Sequence, residues 1–137
     1  MALLPRRIGG TSGTEVQWAV EFHAEFAVEV RQLSQSVREK LKAAAIILGE
    51  NGPLLGRPLA DTLKGSRHAN MKELRFDADG GAWRVAYAFD AQRKAILLVG
   101  GDKSGIGKER FYRNLLRVAD ERFDQHLQSL RLKRQSR

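Results

Sequence analysis

Four residues in one stretch, Glu73, Arg75, Arg84 and Lys103, have types and spacing that could do chemistry. The stretch is MKELRFDADGGAWRVAYAFDAQRKAILLVGGDKSG, residues 71–105. Trp83, Val85, Tyr87 and Phe89 share one face of an extended segment, and Arg84, Ala86 and Ala88 share the other. In the segment before it, Lys72, Leu74 and Phe76 alternate with Met71, Glu73 and Arg75. With the bulky rows packed on helices, Glu73, Arg75 and Arg84 fall together on the opposite face. Small Ala86 and Ala88 beside them predict a hollow with charged walls. Lys103 follows Gly100-Gly101 and reaches the same end. Converging guanidinium and ammonium groups bind oxyanions, because a guanidinium grips a phosphate or carboxylate through paired hydrogen bonds. The alternative is a solvated sheet face on which Glu73 pairs with Arg75 or Arg84.

The rest of the chain narrows the chemistry. It has no cysteine, so it forms no disulfide or thiolate metal site, which is compatible with a reducing, cytoplasmic setting. Its histidines, His23, His68 and His126, are scattered rather than spaced as metal ligands. A length of 137 residues fits one domain. The net charge is +8 and the isoelectric point about 10.3, a balance that suits nucleic acid, an anionic membrane or an acidic protein segment. No apolar run approaches the roughly 20 residues a membrane helix needs. Residues 1–13 read as a flexible leader, 14–130 as a single domain, and 131–137 (RLKRQSR) as a basic tail expected to fray.

The elements that must position these groups follow from periodicity. EVQWAVEF, residues 15–22, alternates as a strand with Val16, Trp18, Val20 and Phe22 on its buried face. Phe26, Val30, Leu33, Val37, Leu41 and Leu48 form a helical stripe. It breaks near 34–36, where Ser36 and Glu39 have capping-box spacing, so a helical hairpin is expected. Residues 50–70 lack a period and read as a long loop pinned by Leu54, Leu55, Leu59 and Leu63. Three strands follow, near 71–77, 83–90 and 94–100, joined by DADGG and DAQR turns and therefore antiparallel. A helix over 108–130 closes the chain with Phe111, Leu115, Val118, Phe123, Leu127 and Leu130 inward. The class is α+β: a small antiparallel-rich sheet, an N-terminal helical hairpin and a C-terminal helix, in the order β-α-α-β-β-β-α.

MKELRF, WRVAYAF, AILLVGGDKSG and FYRNLLRVADERFDQHL, taken in that order, resemble the RelE/ParE superfamily of bacterial toxins, and best its HigB-like, phage-derived branch. The likeness covers residues 14–130. It implies a RelE-like fold and the toxin half of a type II toxin-antitoxin pair. It further implies a metal-independent endoribonuclease that needs no cofactor and cleaves mRNA, commonly on the ribosome. The implied partner is a HigA-like antitoxin with a helix-turn-helix domain, through which alone operator DNA would be met. A ParE-like toxin that poisons gyrase and a non-catalytic basic binding module are the alternatives.

Cleavage of RNA without metal uses the ribose 2′-oxygen as nucleophile, a base to take its proton, cations on the phosphate and an acid for the leaving 5′-oxygen. The resemblance gives Arg84 the place of the strand arginine that clamps phosphate, with Arg75 a second candidate. Lys103 matches the basic residue after the last strand, a general acid or transition-state cation. Tyr112 lies near the C-terminal tyrosine, to stack on a base or assist proton transfer, or simply to pack beside Phe111. Glu73 departs from the lysines of RelE at this strand and is either a general base or a charge partner of Arg84. Lys64, Arg67, Lys72 and Arg57 form an expected basic rim for RNA backbone. His68, in KGSRH, is placed to move protons or to stand idle.

Overall fold

The computed structural model describes residues 2–3 and 17–136. Its elements are β1 (Ala2–Leu3), β2 (Ala19–Phe22), α1 (Ala24–Arg31), α2 (Gln35–Asn51), β3 (Ala60–Thr62), β4 (Lys72–Ala78), β5 (Gly81–Phe89), β6 (Lys94–Asp102) and α3 (Lys108–Gln135). The expected α+β order is present, with the short edge strands β1 and β3 added to it. Of the expected leader, Ala2–Leu3 pair with β2; the rest of residues 1–13 and the start of the first predicted strand lie outside the described residues. Helix α3 runs to Gln135 and takes in most of the basic tail.

The sheet order is β1-β2-β6-β5-β4-β3. Strand β2 lies parallel to β6, and every other neighbouring pair is antiparallel. The β4–β5 hairpin closes through Asp79 and Gly80, at φ 52° and 74°. Two successive left-handed residues match the natural twist of paired strands, which is why Asp-Gly turns a two-residue hairpin. At the next turn Asp90 Oδ1 accepts from the N–H groups of Gln92 (2.8 Å) and Lys94 (3.0 Å).

The helical hairpin breaks earlier than the capping-box spacing predicts. Ser34, not Ser36, caps α2: its hydroxyl accepts from Val37 N–H at 3.2 Å, and Glu39 instead accepts from Gln35 at 3.2 Å. Ser34 is extended, at ψ 158°, the backbone state that lets a cap reach forward to the third helical residue. The loop over 50–70 also differs from expectation. It contains β3, which pairs with β4; of its four leucines Leu63 and Leu55 pin it, with Ala60 also buried, whereas Leu59 and Leu54 are exposed.

Both faces of the sheet are covered. On one, Val85, Tyr87, Leu74 and Leu97 pack against Phe26, Val30, Leu41 and Leu48 of α1 and α2. On the other, Ala86, Ala88, Ile96 and Leu98 pack against Phe111, Leu115, Ala119 and Phe123 of α3. A bulge at Ala86/Tyr87 breaks the alternation in β6, so Leu98 and Val99 both reach the α3 side. Polar side chains fix where α3 lies. Arg122 donates to both carboxylate oxygens of Glu29 (2.8 and 2.5 Å) and to Leu98 O (2.8 Å). His126 pairs with the buried Asp90 at 2.7 Å, and buried Asp120 accepts from Ser66 Oγ and Arg67 N–H.

Candidate functional site

The open hollow expected beside Ala86 and Ala88 is not there. These residues are 0% and 1% exposed, because their small side chains let α3 settle directly on the sheet. The strand parity itself holds: Val85 and Tyr87 face the helical hairpin, and Arg84 takes the other side. What survives of the charged face is its end, beside the first turns of α3.

There Arg75 and Arg84 lie directly opposite each other across β4 and β5. Like charges so placed repel. Glu73, two residues before Arg75 and diagonal to Arg84, supplies the compensating charge. Its Oε2 lies 3.4 Å from Arg75 Nε and accepts from the Tyr112 hydroxyl at 3.3 Å. Glu73 is only 4% exposed. Burial raises its carboxyl above the usual range, opposed by the Tyr112 hydrogen bond and by Arg75 and Arg84. Tyr112 packs edge-on against Phe111 at 5.2 Å. Its phenol is raised too, by burial and by the Glu73 charge, with Arg84 opposing, so at neutral pH it is a donor.

The arginines hold donors in reserve. Arg84 Nη1 donates to Trp83 O at 2.9 Å and Arg84 Nε is buried without an acceptor, whereas Arg75 Nε has only its ion pair with Glu73 Oε2 at 3.4 Å. Buried guanidinium N–H groups without acceptors are unfavourable unless an anion completes them. A shallow depression of about 410 Å³, lined by Pro58, Leu59, Arg75, Phe76, Asp77 and Arg84, opens at this end of the sheet. Lys103 continues the β6 ladder, donating its backbone N–H to Ala82 O at 2.8 Å. Arg84 is opposite Gly101, so Lys103, two residues on, shares the Arg84 face roughly 7 Å farther along. The Phe111 ring packs onto Gly101, 3.1 Å from where a side-chain Cβ would stand, and so lines the face between Arg84 and Lys103.

The other candidates separate. Lys72 is opposite Tyr87, so its side chain takes the hairpin face, where Nζ donates to Pro53 O at 3.1 Å. It does not join the arginines. Arg67 and His68 are drawn to Asp124 of α3, His68 at 2.8 Å and edge-on to Phe123. Asp124 is three turns past Tyr112, about 18 Å along the helix. Arg57 lies at the arginine end, paired with Asp61 at 2.9 Å. Lys64 is exposed on the loop leading to Arg67. The continuous basic rim expected from the sequence is therefore split: Arg57 pairs with the nearby Asp61, Arg67 with the distant Asp124, and Lys72 turns to the Pro53 carbonyl on the other face. Among the described residues no group of histidine, aspartate and glutamate side chains is arranged to hold a metal ion, and no helix is long and apolar enough to cross a membrane.

A mixed sheet clasped between a helical hairpin and a long C-terminal helix, with arginines gathered at one end, defines a RelE-like fold. The solved structure of a double arginine-to-alanine mutant of Escherichia coli toxin RelE in the free state superposes with a TM-score of 0.53, covering 73% of this chain and 94% of that one at 16% identity. Residues 28–124 match the family of phage-derived, Gp49-like proteins, and the chain belongs to that family. Two curated relatives from Mycobacterium tuberculosis carry the provisional names toxin HigB2 and toxin HigB3. The first is 38% identical over 93% of this chain, and the second 42% identical over 71% of it. This chain spans 59% of the length of the first and 82% of the second. The HigB-like, RelE-like kinship expected from the sequence is thus present in both sequence and fold.

Proposed function

We propose that this protein is the toxin of a type II toxin-antitoxin pair and acts as a metal-independent endoribonuclease on mRNA, with the ribosome as the setting. The names of its relatives and the fold support the toxin reading. One observation carries the nuclease reading: Arg75 and Arg84 face each other across β4 and β5, with Arg84 Nε unpaired, at the end of the sheet where Lys103 follows β6.

In this mechanism the scissile phosphate seats at the end of β4 and β5. Arg84 and Arg75 bind its non-bridging oxygens, whose charge grows as the ribose 2′-oxygen attacks. Solvent water takes the 2′-proton, the 2′-oxygen–phosphorus bond forms and the bond to the 5′-oxygen breaks. Lys103 protonates the departing 5′-oxygen, leaving a 2′,3′-cyclic phosphate and a 5′-hydroxyl. Glu73 is enclosed, with one oxygen engaged and the other shielded, so it serves as charge partner rather than as the base. Tyr112 holds Glu73 beside the arginines and supplies a protonated phenol. In this reading the arginines and Lys103 take the charge-stabilising and proton-donating roles that a metal ion fills in other nucleases.

An antitoxin with a helix-turn-helix domain is the proposed protein partner, and operator DNA is met only through it. The test is expression of the bare chain in bacteria, with message ends mapped. Growth arrest with cleaved messages is expected, and Arg84→Ala and Lys103→Ala abolish both while keeping the fold. Arrest with broken DNA and intact messages would replace the nuclease with a gyrase poison. Absence of arrest would leave a binding module.

A further inference from the structure

Pairing of Arg57 and Arg67 with carboxylates leaves the question of what else guides an anionic chain to Arg84. The exposed side of the first half of α3 supplies an answer. Arg110, Arg113 and Arg117 recur at i, i+3 and i+7, so they form one ridge. All three are exposed. Among the described residues Arg110 and Arg113 have no ion pair, and Arg117 has only a loose one, 3.9 Å from Glu121. The ridge begins in the same helical turn as Tyr112, which touches Glu73 in the arginine cluster, but on the side of α3 turned away from the sheet. It ends where the same face turns acidic, at Glu121 and Asp124. Seven residues of helix span about 10 Å, close to the reach of two backbone phosphates.

We infer that Arg110, Arg113 and Arg117 form a backbone-binding track for single-stranded RNA, which leads the strand across α3 to the Arg75–Arg84 site. The inference rests on the nuclease reading and adds a substrate path that the sequence pattern placed instead on the loop over 57–72. Exposed arginines on a rigid helix present their charges without folding partners, and phosphate contacts of this kind position a strand without reading its bases. The sharp boundary at Glu121 gives the track a direction, since an anionic chain is repelled beyond it.

The test uses the full chain and a single-stranded RNA with 2′-deoxy substitutions that block cleavage. Its affinity is measured by fluorescence anisotropy from about 50 to 300 mM salt. For single strands the slope of log affinity against log salt is about −0.7 per phosphate contact. Joint replacement Arg110→Ala, Arg113→Ala and Arg117→Ala is expected to flatten the slope by about 1.4 to 2.1, equivalent to two or three contacts. Arg67→Ala, which removes a cation already paired with Asp124, is expected to leave the slope unchanged. Circular dichroism confirms that each variant folds. An unchanged slope in the triple variant, with wild-type binding intact, overturns the track alone. An equal loss in Arg67→Ala returns the path to the loop and also overturns it. No salt-dependent RNA binding by the unaltered chain overturns the nuclease reading together with the track.

Discussion

Arg75 and Arg84 stand opposite each other on adjacent antiparallel strands, with the enclosed carboxylate of Glu73 3.4 Å from Arg75 and close enough to Arg84 to feel its charge. An arrangement that places two guanidinium groups side by side is unfavourable by itself and becomes useful when an anion sits between them. Arg84→Ala is therefore expected to reduce RNA cleavage by about 100-fold or more, the scale for removing one donor to a developing anion. Arg84→Lys recovers little of it, because an ammonium cannot repeat the planar, two-bond grip of guanidinium. Cleavage rates on a defined RNA, with melting temperatures alongside, check this. Full activity in Arg84→Ala would remove the site from this end of the sheet.

Glu73 makes stability depend on pH in a definite direction. Its carboxyl is raised in the folded protein, so folding favours its protonated form. The stability it contributes is complete below the unfolded carboxyl value and is lost as pH rises through the higher folded value. Glu73→Gln is neutral at every pH. Relative to the parent, it is expected to be more stable at pH 7 than at pH 4, as read by urea unfolding at both. A constant difference between the two pH values would show that the carboxyl is not raised.

Tyr87 is fully buried against the helical hairpin, and its hydroxyl has no hydrogen-bond partner. Burial raises its phenol far above the normal value. Removing an unsatisfied buried hydroxyl removes a desolvation penalty of about 1 kcal/mol or more. Tyr87→Phe is thus expected to stabilise the fold by about 1 kcal/mol, with RNA cleavage unchanged. A loss of stability in thermal unfolding would mean that the hydroxyl is bonded.

Arg122 ties three elements together, bonding Glu29 of α1 through two oxygens and the Leu98 carbonyl of β6. Arg122→Ala leaves that buried carbonyl without a partner and is expected to cost about 2 kcal/mol. Glu29→Gln costs less, because Glu29 is half exposed and an amide still accepts one bond. Denaturant midpoints rank the two. Equal costs would assign the clamp to the ion pair rather than to the carbonyl.

Much of the fold was legible from local pattern. Alternation in WRVAYAF separates Val85 and Tyr87 from Arg84 because successive strand side chains point to opposite faces. Asp79-Gly80 announces its hairpin because few other residue pairs take two left-handed conformations in a row. Family likeness added the roles proposed for Arg84 and Lys103. The Arg110, Arg113 and Arg117 ridge is also present in the helical spacing. Short signals failed where two caps competed, and Ser34 took the place expected of Ser36.

By itself the sequence determined which residues share a strand face, where the hairpins turn and which helix stripes are apolar. All of these follow from bonds and dihedrals within a few residues. Only tertiary structure decided that α3 would cover Ala86 and Ala88, that Asp124 would neutralise Arg67 and that Lys72 would cross to the hairpin side. The partners in such contacts stand far apart in the chain, 57 positions for Arg67 and Asp124 and 93 for Glu29 and Arg122. No local periodicity records an encounter between distant segments; it is set by which surfaces can pack closely, and small residues on the sheet were what drew the helix down.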